Sequence, residues 1–146
     1  MSAVGFNFKN LQAGFFDSPK VMRATNQAER RVLSRFGSFV RTRARGSIRR
    51  RKKPSQPGKP PSSHTGDIKK IFFSYDPREK SVITGPIEQS DKESKGVLAT
   101  LEGGGMTTVT LRGRRRKIKI KARPTMVPAF QHEQPKLPDL WKNSVR

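Results

Sequence analysis

The chain has no cysteine, which excludes disulfides, thiol nucleophiles and cysteine-ligated zinc. Its only two histidines, His64 and His132, are far apart and lack ligand spacing. No paired carboxylates stand at a spacing suited to a metal or to acid–base chemistry, and no nucleophile–base–acid constellation is visible. No apolar run approaches the roughly 18 residues that a membrane helix needs. The opening "MSAVGFNFKN" lacks a signal-peptide pattern, so the protein is expected to stay in the compartment where it is made. Internal repeats are absent. Acid is scarce: 11 Asp and Glu stand against 32 Lys and Arg, a net charge of +21.

What is present suits one domain. The 146 residues, 32% hydrophobic, can build one modest core with extended or partner-covered arms. A charge of +21 repels itself strongly in an isolated domain, so an acidic partner is expected, nucleic acid being the commonest. A basic but merely soluble domain is the plain alternative. The triplet Gly103-Gly104-Gly105 has neither the strand–loop–helix setting nor the Lys-Ser/Thr of a phosphate loop, and reads as a flexible turn. These absences argue against an enzyme.

Residues 1–17 form an N-terminal arm with Phe6, Phe8, Leu11, Phe15 and Phe16. The alternation of Phe6 and Phe8 suggests a short strand, and Phe15-Phe16 reads as a plug for this domain or for a neighbouring subunit. From about Pro19 to Arg49 the spacing of Val21, Thr25, Ala28, Val32 and Phe39, with Leu33, Phe36 and Val40 beside them, predicts an amphipathic helix roughly 45 Å long. Asp17 or Ser18 can cap it, Pro19 suits its first turn, and Gly37 and Gly46 weaken it. Its end carries Arg41, Arg43, Arg45, Arg49, Arg50 and Arg51, more cations than the helix dipole requires.

Residues 51–64 read as a basic loop rich in Pro, Gly and Ser, without a core of its own. Like residues 1–17, it is expected to be ordered mainly by neighbouring subunits. Ile71, Phe72, Phe73 and Tyr75, the "DPREK" turn and "SVITG" predict a hairpin. "GVLATLEGGG" predicts one or two helical turns closed by glycine. "TTVTLRGRRRKIKIKA" predicts a second hairpin, with Val109, Leu111, Ile118 and Ile120 on a buried face and Lys117, Lys119 and Lys121 on an exposed one. Eight Lys or Arg and no acid lie from Arg112 to Arg123. The candidate DNA- or partner-facing surface is therefore Arg112, Arg114, Arg115, Arg116, Lys117, Lys119 and Lys121, together with Arg41, Arg45, Arg49, Arg50 and Arg51. After "ARPTMVPAF", a short helix from Pro124 or Pro128 is expected, then a break at Pro135 and Pro138, then a helical or extended tail.

The order "VRTRARGSIRR", "GKPPSSHTGDIKKIFFSYD", "VITGP", "LATLEGGG", "ARPTMVPAF" resembles that of the tail-completion and neck proteins of tailed bacteriophages, the head–tail joining family. The resemblance covers about residues 18–131, one domain followed by a tail at 132–146. The matching positions are Pro60, Pro61, His64, Thr65, Gly66, Gly85, Pro86, Leu101, Glu102, Gly103, Ala122, Arg123 and Pro124. They look architectural, with "ARPTMVPAF" as the corner from the last strand into the terminal helix. Pro124 would set φ at the helix start, and Arg123 would bond nearby carbonyls or Glu102.

The resemblance implies an α+β fold: a long N-terminal helix on a small, mainly antiparallel sheet of two hairpins, with a short C-terminal helix and an irregular tail. It implies a virion protein made in the host cytoplasm, without catalysis, cofactor, metal, small-molecule ligand or membrane. Such a protein would form a sixfold or twelvefold ring between the portal-side connector or head-closure proteins and the tail, as a completion or terminator component around a DNA channel, touching packaged DNA without reading its sequence. The alternative is a small RNA-binding or ribosomal-type protein, on the evidence of the charge, the basic tails and the single Tyr and Trp. Few aromatic residues are available to stack on single-stranded bases, which counts against it.

Overall fold

A computed structural model describes residues 18–64, 67–87, 97–111, 113–142 and 144–145. Residues 1–17, with the expected N-terminal strand and plug, lie outside the described residues, as do Thr65, Gly66 and Arg112. The elements make the expected α+β arrangement. A long helix α1 (Ser18–Ser47) leads to β1 (Arg49–Arg50), which pairs in parallel with β2 (Ser62–Ser63). A 3-10 turn (Asp67–Lys69) precedes the antiparallel hairpin β3 (Ile71–Asp76) and β4 (Ser81–Pro86). A short helix α2 (Val97–Gly103) leads to the antiparallel hairpin β5 (Gly105–Leu111) and β6 (Arg114–Ile120). The chain ends in α3 (Met126–Glu133), a 3-10 turn (Gln134–Lys136) and α4 (Leu137–Trp141). Among the described residues the strands form three separate two-stranded ribbons rather than one sheet.

α1 organises the core, because it packs on β3, β4, α3 and α4. Its buried side chains are Ala28, Val32, Phe36, Val40 and Ala44, one every fourth residue, and Ile48 extends the row beyond the helix end. At 3.6 residues per turn a four-residue row drifts slowly around the helix, so the buried stripe follows the curved surface of the hairpin and α3. The expected stripe was displaced: Val21 is exposed and Phe39 only half-buried. Val21 and Met22, in the first turns of α1, are left exposed among the described residues. Ile71 and Ala129 complete the core, with Ile68, Val82, Met126, Leu137 and Leu140 packed against it. The ring of Phe36 meets that of Phe130 edge to face at 5.7 Å.

Gly37 does not break the helix. It admits the hairpin: a Cβ there would stand 2.6 Å from Val82 Cγ2 and 3.1 Å from Phe73 Cδ2. Arg41 then ties the two elements, with its Nε donating to the Ile71 carbonyl at 2.9 Å and its guanidinium over the Phe72 ring. At the hairpin turn the Asp76 carboxylate accepts the Arg78 N–H, a local bond that favours a turn after aspartate.

Two expectations are corrected. The 51–64 segment is not without a core contact: Ser55, Pro61 and Ser63 are buried, and Gly58 N–H donates to the Ala122 carbonyl at 2.9 Å. The second hairpin does not bury the apolar face of its second strand. Every residue from Arg114 to Lys119 is exposed, Ile118 by 39%, and only Ile120 at its base is half-buried. Period-two alternation requires a covering layer to bury one face, and the exposure of Arg114 to Lys119 leaves β6 without one among the described residues.

Two substitutions should therefore behave oppositely in the isolated chain. Gly37→Val should cost about 1–3 kcal/mol through overpacking against Val82 and Phe73. Ile118→Lys should change stability by less than about 0.5 kcal/mol, as at an exposed site. Urea unfolding of both variants checks this.

Candidate nucleic-acid interface

The basic ribbon β5–β6 rises from a corner whose centre is Glu102. α3 begins with N–H groups that have no partner within the helix. The Glu102 carboxylate accepts three of them: Thr125 N–H at 2.8 Å, Met126 N–H at 2.9 Å and Val127 N–H at 2.9 Å. The next residue, Pro128, has no N–H to satisfy. The first intrahelical bond then runs from Ala129 N–H to the Thr125 carbonyl. An anion at a helix N-terminus is also favoured by the helix dipole. Here it comes from the end of α2, and Thr125 itself makes no side-chain cap.

Arg123 closes the corner from the other side. Its N–H donates to the Leu101 carbonyl and its Nε to the Ser55 carbonyl at 3.2 Å. Of the two expected partners, carbonyls and Glu102, it uses the carbonyls. Pro124 lies just before the helix rather than in it. Gly104, with φ of 74°, brings α2 so close to the strand end that a Cβ would meet Ala122 N at 3.0 Å. Pro61, Pro86, Glu102 and Arg123 thus converge around one largely apolar cavity of about 280 Å³, with Ile48, Ile71 and Met126 in its wall. Pro60 is half-buried beside Pro61, whereas His64 and Gly103 are exposed, and a Cβ at Gly85 would touch nothing.

From this clamp the ribbon extends seven residues, roughly 23 Å, in a register from Gly105↔Ile120 to Leu111↔Arg114. Gly113, with φ of 74°, allows the tight turn. The register sets Met106, Thr108 and Thr110 across from Lys119, Lys117 and Arg115, a face of threonine and cations. Arg114 and Arg116 alternate onto the other face with Ile118 and Ile120, and all three arginines Arg114, Arg115 and Arg116 belong to β6. Arg114, Arg115, Arg116, Lys117, Lys119 and Lys121 are all exposed, and no acid lies among them.

A second basic group sits where α1 ends. Arg45, Arg49, Arg50 and Arg51 are exposed, and the loop that follows them is held to the corner through Ser55. Arg41 instead serves the packing of α1 on β3. Sequence reasoning missed Ser55 and Gly58 as parts of the corner, as well as the buried Glu133. The Glu133 carboxylate accepts from Arg43 Nε at 2.9 Å and Lys136 Nζ at 2.6 Å, with His132 Nδ1 at 3.3 Å. The Lys136 and Arg43 bonds hold this carboxyl below the ordinary range, against the effect of burial. Among the described residues no His, Asp or Glu cluster could hold a metal ion, and no helix is long and apolar enough to cross a membrane.

No family model, no curated protein and no solved structure matches the chain.

Two outcomes follow from this geometry. Glu102→Ala leaves the donors at the start of α3 without their acceptor and should cost on the order of 2–3 kcal/mol in chemical denaturation. For Glu133 the folded-state pKa is lowered, so its stabilising contribution is complete above the unfolded value of about 4.3. That contribution is lost as pH falls from there through the lower folded value. Urea midpoints measured from pH 7 to pH 3 should fall more steeply for the wild type than for Glu133→Gln.

Proposed function

We propose that this chain is a structural protein of a tailed-bacteriophage neck, a ring component at the head–tail junction whose basic ribbon meets DNA backbone. The observation that carries the reading is the ribbon itself. It is a two-stranded hairpin whose second strand is exposed from Arg114 to Lys119, dense in cations and anchored on a clamp of main-chain bonds. A lone hairpin is marginally stable in water, and neighbouring like charges destabilise it further. Such an element suits a polyanion. Arg and Lys side chains on both faces, without a recognition helix, suit phosphate contacts that position rather than read sequence. The motif order along residues 18–131 supplies the neck assignment, and ring assembly would set several ribbons around one channel. In this reading Arg45, Arg49, Arg50 and Arg51 form a second phosphate-facing or partner-facing surface. The protein acts through assembly and charge, not through catalysis.

Binding to double-stranded DNA should be independent of sequence. With six phosphate contacts, affinity should fall about a thousandfold between 50 and 200 mM salt. Replacing Arg114, Arg115 and Arg116 by Ser should leave the domain folded and lower the salt slope by about 2–3. Fluorescence anisotropy with unrelated duplexes reads both quantities. Sequence-selective binding, a flat salt response, or preference for single-stranded RNA would overturn the reading.

A further inference from the structure

Two apolar features lie at opposite ends of α1, and neither has a partner among the described residues. At one end Val21 and Met22 are 50% and 61% exposed, directly after the arm that ends in Phe15-Phe16-Asp17. At the other end is the 280 Å³ cavity beside Ile48. A cavity of roughly 150 Å³ lined by aliphatic side chains already takes a benzene ring, so this one is sized for aromatic side chains. Its rim continues into Ile87, 50% exposed next to Pro86. Thr125, in its wall, is only 6% exposed.

The reach of the chain decides which copy can fill it. Ser18 and Ile48 are separated by the 30-residue helix, about 45 Å. Phe15 and Phe16 lie two or three residues before Ser18 and reach at most about 11 Å beyond it even when extended. They cannot arrive at the cavity of their own chain. Residues 88–96, "EQSDKESKG", contain no apolar side chain.

We propose that Phe15 and Phe16 of one copy seat in the cavity of a second copy, so that subunits join head to tail through the two ends of α1. Such a contact is heterologous, and it closes into a ring when the rotation between subunits permits. The inference rests on the preceding reading only for ring closure; the contact itself requires no DNA.

Sedimentation velocity of the full chain at 0.5 M salt, without nucleic acid, tests it. The wild type should assemble, while Phe15→Ser/Phe16→Ser lacks the plug and Ala99→Trp fills the cavity, so each alone should be monomeric. Mixed in equal amounts, the two variants should form a dimer and nothing larger, because one plug and one cavity remain. A monomeric wild type, a variant that assembles like the wild type, or a mixture that stays monomeric overturns the proposal. Should Ala99→Trp fail to fold, the cysteine-free chain offers a second route. Phe15→Cys/Ala99→Cys should oxidise to interchain-linked ladders, and an intrachain disulfide or no crosslink overturns the proposal. A chain that assembles but ignores DNA refutes the DNA reading alone, whereas a chain that binds DNA only as a monomer refutes arm exchange alone.

Discussion

One carboxylate holds the corner on which the rest of this molecule depends. Glu102 accepts three main-chain N–H groups at the start of α3, joining the end of α2 to a helix that begins more than twenty residues later. Because the bonds go to main chain rather than to side chains, they fix direction as well as distance. α3 is thereby aimed at α1, where Phe130 meets Phe36 and Ala129 enters the core. The same corner fixes the base of the β5–β6 ribbon through Gly104 and Ala122, and it holds the 51–64 segment through Arg123 and Gly58.

Four acids among the described residues are occupied in this framework. Glu102 caps α3, Glu133 joins Arg43 to Lys136, Asp76 shapes the first hairpin turn, and Glu29 lies within 3.8 Å of Lys80 Nζ. None of these four pairs with the ribbon or with Arg49–Arg51. Positive charge therefore accumulates where packing does not need it, on a projecting ribbon and at the end of α1. Its self-repulsion is the physical reason to expect a polyanionic partner.

Much of the fold was legible because it rests on local rules. The apolar spacing of residues 28–40 required a helix, "DPREK" a turn, and "LEGGG" a helix end at a residue of positive φ. The less legible parts depend on distance in sequence. Gly37 reads as a helix breaker until Val82 and Phe73 are seen against it, and the 51–64 segment reads as a free linker until Gly58 reaches Ala122. Alternation in "KIKIK" states that a strand has two kinds of face, but not whether anything covers the apolar one.

The sequence by itself determined the chemistry available: no thiols, two isolated histidines, a large excess of cations, and an α+β order of elements. These follow from composition and from periodicities of two and about four, which need no knowledge of neighbours. Only the tertiary structure decided which charges are free and which are structural. Arg41 and Arg45 are one helical turn apart, yet the first binds the Ile71 carbonyl while the second faces solvent. Glu102 and Glu133 are likewise indistinguishable from solvated acids until the donors around them are brought together. The reason is that burial and hydrogen bonding are set by what folds against a residue, and in this chain the decisive partners lie twenty to ninety positions away.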